Sequence, residues 1–393
     1  MLQLCISQEI SNKSYTFKAT GIRVYSIEEA LYHAYHYWRE SADEFMTGNL
    51  ATWVAGLGHT GLAAKIKDVT ALKSASKRLL AFLGIIEYFS SAELAAIKTD
   101  LERWEHRVEW EKLKDRADNL VARGEPVKAI PLYRQALSYE ENANILNNLA
   151  VAHMQLSNYG PAVNLLAKAK AAKPDNITIM LHYAQAAILN GDYDDASMEI
   201  RRAQSVTQNK DAVHSSSIST SNNADILYLQ GLMAYQQEDY PVALDYFQKA
   251  YTQNPEVTHY LNKIADTYLQ MRQYDKALAA AKDIPGTAQH IKLAEIYADY
   301  GHSHIPEAIR RIKEAIEKGG SNEAALWIKL AQYYREDYDN ERANEAIAHA
   351  LPSKSVAAML ESARIKKSLG RMREYRAGLS EVLKGLKGQY RGM

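Results

Sequence analysis

The chain has 393 residues, 47% of them hydrophobic and 24% charged, a composition that excludes disordered and collagen-like classes. Lys plus Arg and Asp plus Glu both number 47, so the net charge is zero and no chain-wide field draws the protein to DNA, RNA or acidic lipid. Cys5 is the single cysteine, which removes disulfide frameworks and cysteine-based zinc sites and predicts a reducing, cytoplasmic setting.

Met1 to Ile10 places no basic residue ahead of an apolar stretch, and the longest apolar run, Leu79 to Ile86, is eight residues; neither a secretory signal nor membrane insertion is expected. Leu2 to Ile6 and Tyr15 to Tyr25 carry alternating or β-branched residues, with Ser11-Asn12-Lys13 as a turn, so a small β-hairpin is predicted. Ser26-Ile27-Glu28-Glu29 reads as a helix start, and Glu28 to Trp38 as an aromatic-rich helix. Val69 to Tyr88 predicts another helix, followed by a capping box at Ser90-Ser91-Ala92-Glu93. Leu94, Ile97, Leu101, Trp104 and Val108 then alternate three and four apart, and the stripe resumes at Leu113, Ala117 and Leu120 after one skip. This predicts an N-terminal domain over 1–90 and a long helix over 91–112 that joins it to whatever follows. Residues 1–90 resemble no family.

Several motifs in this region are weighed and set aside. Gly56-Leu57-Gly58-His59-Thr60-Gly61 matches G-x-G-x-x-G, but no strand series surrounds it, so a turn between helices is expected rather than a cofactor loop. Lys65, Lys67, Lys73, Lys77 and Arg78 form a basic run with a helix-break-helix rhythm; a solvated face is expected and nucleic-acid binding is not. His33 and His36 have metal-ligand spacing, and His302 and His304 flank Ser303, but neither pair has a third ligand in register. With no G-x-x-x-x-G-K-[ST], G-x-S-x-G or H-E-x-x-H, and no basic neighbour to activate Cys5, no catalytic residue, cofactor or metal is predicted.

From residue 113 a repeat governs the sequence. Ala129, Ala162, Ala196, Ala243, Ala277, Ala308 and Ala343 each follow a short turn signal, at intervals of 33, 34, 47, 34, 31 and 35. The interval of 47 holds the Ser-rich segment 204–223, which predicts an inserted loop and makes it a candidate for phosphorylation. Before each turn, residues such as Leu146, Leu149, Ala150 and His153, or Trp327, Leu330, Ala331 and Tyr334, fall on one helical face. After it, small residues recur around a large one, as in Ala243, Phe247 and Ala250, which lets two helices pack closely. Pro161, Pro241 and Pro306 fit the first turn of a helix, whereas Pro131 lies too far in and predicts a late start or a kink. The last unit places Tyr375 where Ala is expected and reads as a cap.

This pattern resembles the tetratricopeptide repeat (TPR) family over roughly Leu113 to Leu386. The resemblance implies an all-α, right-handed TPR solenoid of seven or eight helix pairs, here over 113–393, whose first helices line a groove for a peptide or partner helix. It also implies a non-enzymatic protein-protein interaction scaffold or adaptor. In the family, ligands are met by first-helix residues near a small residue, here Ala150, Ala265, Ala294 and Ala331. Two places before such residues stand Asn148, His182, Leu229, Lys263, Lys292 and Lys329, so Lys263, Lys292 and Lys329 form a register that favours an acidic or phosphorylated segment. Asn147 and Asn148 are candidates for bonding a peptide backbone, and Tyr228 and Tyr235 for lining the groove. In the chaperone-tail subfamily a carboxylate clamp uses Lys and Asn in one helix, Asn in the next and Lys and Arg in a third; Lys114, Asp118 and Asn148 fall at its first three places, but Thr178 and His182 replace its basic pair, so binding of a C-terminal carboxylate by this clamp is not expected. The rival expectation is a peptide-sensing regulator with an N-terminal effector region acting on transcription or a signalling partner; an enzyme would need a constellation among Glu28, Glu29, His33, His36 and His59. Self-association is left open.

Overall fold

The computed structural model describes residues 13–18, 20–41, 49–211, 217–319, 323–353 and 355–390. The chain packs as two compact units, Met1–Pro174 and Asp175–Met393. The boundary falls inside the expected array, and the expected N-terminal domain shares the first unit with two helix pairs.

In the first unit β1 (Tyr15–Thr16) pairs antiparallel with β2 (Arg23–Val24), Tyr15 opposite Val24. The hairpin therefore closes within the Tyr15 to Tyr25 stretch, while Leu2 to Ile6 and the Ser11-Asn12 part of the expected turn lie outside the described residues. Its loop is held by the Phe17 N–H on the Ile22 carbonyl at 2.9 Å, with Gly21 at φ 73°. Ser26 caps α1 (Ile27–His36), its hydroxyl accepting from the Glu29 N–H. Short helices follow: α2 (Trp38–Ser41), α3 (Asn49–Gly56), α4 (Thr60–Thr70) and α5 (Ala75–Leu83). The expected single helix from Val69 to Tyr88 is instead the end of α4, a turn capped by Ser74, and α5. Phe17, Leu31, Val54, Ile66, Leu79, Phe82 and Leu101 form their common core.

The expected long connecting helix is two helices. The capping box of Ser90 and Glu93 starts α6 (Ser91–Glu105), and α7 (Glu109–Ala122) starts afresh after an extended Val108. The physical reason lies in the two ends. Leu101 and Trp104 are buried in the N-terminal core, whereas Leu113, Ala117 and Leu120 are buried against α8 (Pro126–Tyr139) and α9 (Ala143–Gln155). One straight helix would have to present two stripes out of phase. The N-terminal region is instead fastened to α7 by side chains: Arg116 donates to the Arg39 carbonyl at 2.8 Å, and Arg123 pairs with the buried Glu40 at 2.8 Å. Pro131 neither delays nor ends α8, which begins at Pro126 and runs through it.

Helix pairs fill the rest. The first unit holds α7–α8 and α9 with α10 (Tyr159–Ala172). The second holds α11 (Ile177–Asn190) with α12 (Tyr193–Asp211), α13 (Ser217–Gln236) with α14 (Tyr240–Gln253), and α15 (Thr258–Gln270) with α16 (Tyr274–Lys282). It continues with α17 (Thr287–Tyr300) and α18 (Ile305–Glu317), α19 (Glu323–Glu336) and α20 (Asn340–Ala350), and α21 (Val356–Ser368) and α22 (Met372–Tyr390). Within each unit every second helix packs on the next first helix. The eight pairs among the described residues agree with the seven or eight expected.

The turn signals have a conformational basis. Gly124, Ser157, Gly191, Glu238, Arg272, Tyr338 and Gly370 are left-handed, with φ from 56° to 91°. The first six each stand five residues before the repeating alanine, and Gly370 stands five before Tyr375. In each case the N–H of the next residue reaches back to a carbonyl of the first helix, as from Asp239 to Ala234 and from Gln273 to Tyr268, both 2.9 Å. The alanines are buried without remainder because the partner helix occupies the space a larger side chain needs.

The expected loop 204–223 is a second correction. Residues 204–211 continue α12 and 217–223 begin α13, leaving 212–216 outside the described residues. Thr207 shows why: it is buried, and its hydroxyl donates to the Ala203 carbonyl at 2.9 Å, so the helix keeps a core-facing side past the Ser-rich composition.

Close packing is most stringent in α13, where Gly231 replaces the usual alanine. A Cβ there would lie 2.8 Å from the Phe247 ring and 3.2 Å from the Ala243 carbonyl oxygen. Phe247 is fully buried and cannot swing away. Gly231→Ala is expected to destabilise the second unit by ~1–2 kcal/mol, because overpacking outweighs the ~1 kcal/mol gained in helix propensity. Urea denaturation followed by circular dichroism checks this, and adding Phe247→Leu should recover most of the loss.

Candidate functional site

The first helices of the second unit carry the chemistry. Thr178, Leu181, His182 and Gln185 of α11, Asp225, Tyr228 and Leu229 of α13, and His259 of α15 enclose a cleft of about 450 Å³. Thr178, Asp225 and His259 each stand six residues before the small residue of their helix, Ala184, Gly231 and Ala265. One helical register therefore aims all three at one place. Tyr260 donates its hydroxyl to Asp225 Oδ1 at 2.8 Å and so ties α15 to α13. The Tyr228 ring meets the His259 ring edge-on at 4.7 Å and lies 5.5 Å from that of Tyr260. Burial, aided by the charges of Asp266 and Asp225, pushes the Tyr228 hydroxyl up to about 12, so it stays a donor. Burial lowers both His182 and His259 below the ordinary imidazole value, against the opposing pull of Asp225. Both rings are accordingly neutral at neutral pH.

Beyond the cleft the same faces carry a chain of ion pairs. Lys263 of α15 lies 3.5 Å from Asp266, Lys292 of α17 bridges Asp266 at 2.8 Å and Glu295 at 2.7 Å, and Lys329 of α19 reaches Glu295 at 2.7 Å. Arg335 of α19 then meets the buried Glu361 of α21 at 2.6 Å. The lysine register is real, but each lysine is paired with a carboxylate, and the carboxylates join neighbouring first helices. Tyr235 packs beside Tyr240 at 5.5 Å, with the Lys263 ammonium 5.1 Å from its ring centre.

The amide candidates lie in the first unit. Asn148 donates to Asp118 Oδ1 at 2.8 Å, where the Tyr133 hydroxyl also donates at 2.6 Å, and Lys114 pairs with Asp118 Oδ2 at 2.6 Å. Asn147 is buried and donates to Asn148 at 3.1 Å. The structure brings Lys114, Asp118 and Asn148 together, and Asp118 supplies from within the carboxylate that a ligand would bring.

The remaining motifs are absorbed by the fold. His33 is buried, stacked on Phe17 at 3.8 Å and bonded to Thr20 at 2.7 Å, while His36 packs on Tyr32 at 4.1 Å. His302 and His304 form a 3-10 turn before α18, with His304 stacked on Tyr300 at 4.4 Å. Gly56 to Gly61 spans the turn between α3 and α4, with Gly58 at φ 92°. Among the described residues no group of three or more His, Cys, Asp or Glu is placed to hold a metal ion, and no helix is long and apolar enough to cross a membrane. Sequence reasoning missed Asp225 and His259 because it examined other groove positions; the signal that finds them is the register six residues ahead of the small residue.

Family models of the tetratricopeptide repeat match residues 120–176 and 234–300, and a second such model matches 184–257. A comparison with curated proteins found no match. Among solved structures, the chain is similar to a tetratricopeptide repeat protein from Parabacteroides merdae, with 18% identity over 66% of this chain and 97% of that one and a TM-score of 0.42. It is also similar to a thermophilic TPR protein from Thermus thermophilus, with 17% identity over 57% and 98% of the two chains and a TM-score of 0.35.

Proposed function

Because residues 120–176 and 184–300 belong to the tetratricopeptide repeat family, whose arrays generally serve as protein-interaction scaffolds, we propose that this chain is a non-enzymatic adaptor. It receives an extended protein segment along the first helices of its second unit. The observation that carries this reading is the cleft of α11, α13 and α15, where polar and aromatic groups of three successive first helices converge around an open volume of about 450 Å³. A segment laid there finds an aromatic wall in Tyr228, hydrogen-bonding groups in Thr178, Gln185 and His259, and a continuation past Tyr235 and Lys263. Lys292 and Lys329 extend the same face and fix its shape by holding the helices in register.

An acidic or phosphorylated segment, the partner a row of free lysines would favour, has to displace Asp266 and Glu295 from those lysines, which costs what the new pairs return. The groove reading therefore rests on the cleft. Panning a displayed random dodecapeptide library against the full chain tests it. Enriched peptides are expected to bind Thr178→Trp, which fills the mouth of the cleft from an exposed position, about tenfold more weakly at unchanged melting temperature. Peptides that bind this variant as well as the parent chain, or no enrichment at all, would defeat the reading.

A further inference from the structure

We propose that the cleft between α11, α13 and α15 is a subsite for a basic side chain, a lysine or arginine of the bound segment, with Asp225 as its counterion and Tyr228 as its wall. The inference rests on the groove reading and names the chemistry of the residue that fills it.

Charge is the first argument. Among the described residues that line the cleft, Asp225 is the one carboxylate, and none is a lysine or arginine. Its two histidines are neutral, so they accept hydrogen bonds without opposing a cation. The nearest cation along the same face, Lys263, is already paired with Asp266 at 3.5 Å. Lys292 and Lys329 are likewise engaged by Asp266 and Glu295, so each lysine of this face has a carboxylate partner other than Asp225.

Geometry is the second. The Tyr260 hydroxyl occupies Asp225 Oδ1 at 2.8 Å, which fixes the carboxylate, and Oδ2 has no hydrogen-bond partner among the described residues. Asp225 is half-buried, so an ion pair formed there is less screened than one on open surface. The Tyr228 ring, held by Phe247 at 5.6 Å and by His259, gives the cation an aromatic neighbour. About 450 Å³ admits the stem of a long side chain together with its head group. A carboxylate or phosphate entering the same space would meet Asp225 at close range with no cation among the described lining residues to offset it.

The test uses the full chain and four degenerate dodecapeptide pools whose central residue is fixed as Arg, Lys, norleucine or Glu. The Arg and Lys pools are expected to be retained about tenfold better than the norleucine pool, with Glu weakest. Asp225→Asn, whose side-chain carbonyl still accepts from Tyr260, should bring the basic pools down to the norleucine level. His259→Lys, at an exposed position, adds a fixed cation to the lining and should invert the order of the Lys and Glu pools. Equal or better retention of the norleucine or Glu pool by the parent chain overturns the basic subsite and leaves the groove reading standing. A basic preference that survives both substitutions removes it from this cleft. Retention of no pool at all overturns the groove reading with it.

Discussion

Acidification from pH 6.5 to about 4 is expected to weaken the first unit by up to ~3 kcal/mol through His33 alone, and His33→Gln to remove that part of the loss. The ring of His33 is buried between β1–β2 and α1, stacked on Phe17 at 3.8 Å with a nitrogen 2.7 Å from Thr20 Oγ1. Burial, and then the charge of Arg123, lowers it from 6.5 to about 4. The sign follows from the order of the two values. As pH falls, the unfolded chain takes up the proton first, so the contribution is fully present above 6.5, declines through the interval and is constant below about 4. Carboxylates titrate at the lower end too, so the quantity to measure is the difference between parent and variant. Trp38, Trp53, Trp104 and Trp110 all lie in the first unit, against Trp327 alone in the second, so tryptophan fluorescence during urea denaturation reports mainly on the affected unit. An equal fall of the urea midpoint in both proteins would show that His33 does not carry the effect.

The repeat is legible in the sequence because it is a local and steric device. A left-handed residue, a turn and a small residue five places on recur in six of the eight described helix pairs, and small residues leave a mark that survives every other change. The same logic fails where the deciding contact is remote. Nothing near Arg107 announces the break between α6 and α7: no Gly or Pro stands there, and the cause is that Trp104 and Leu113 belong to different cores. The Ser-rich segment misleads in the opposite direction, since Ser costs a helix little when buried neighbours such as Ala203 and Thr207 hold its inner face. For the candidate site, the register of Lys263, Lys292 and Lys329 is readable, but their partners Asp266 and Glu295 count only once neighbouring helices are side by side. Asp225 and His259 are ordinary residues in isolation, and become a site through the stacking of three helices.

Replacing Lys292 with Met is expected to cost the second unit about 2–4 kcal/mol, far more than Lys263→Met or Lys329→Met at under ~1 kcal/mol each. The difference comes from position in the chain of pairs. The Lys292 side chain is only 14% exposed and is the one cation shared by Asp266 and Glu295, whereas Lys263 and Lys329 sit at its ends with 28% and 35% exposed. Without Lys292, two partly buried carboxylates on adjacent helices face each other with half their compensation gone. Methionine keeps the volume, so the loss is electrostatic rather than a cavity. Burial alone would lower the Lys292 ammonium and raise the Glu295 carboxyl; pairing with Asp266 and Glu295 wins for the first and raises it, and pairing with Lys292 and Lys329 wins for the second and lowers it. The stability these groups add is therefore present across neutral pH. It disappears as pH falls through the lowered carboxyl value and, separately, as pH rises through the raised ammonium value. Urea denaturation at neutral pH gives the size of the effect, and Lys292→Met/Asp266→Asn/Glu295→Gln should restore most of it, because a buried ionic network replaced as a whole costs little. If the triple variant stays as weak as Lys292→Met, the carboxylates are not what the lysine compensates. If Lys292→Met is as stable as the parent chain, the lysine register is free to serve a ligand after all.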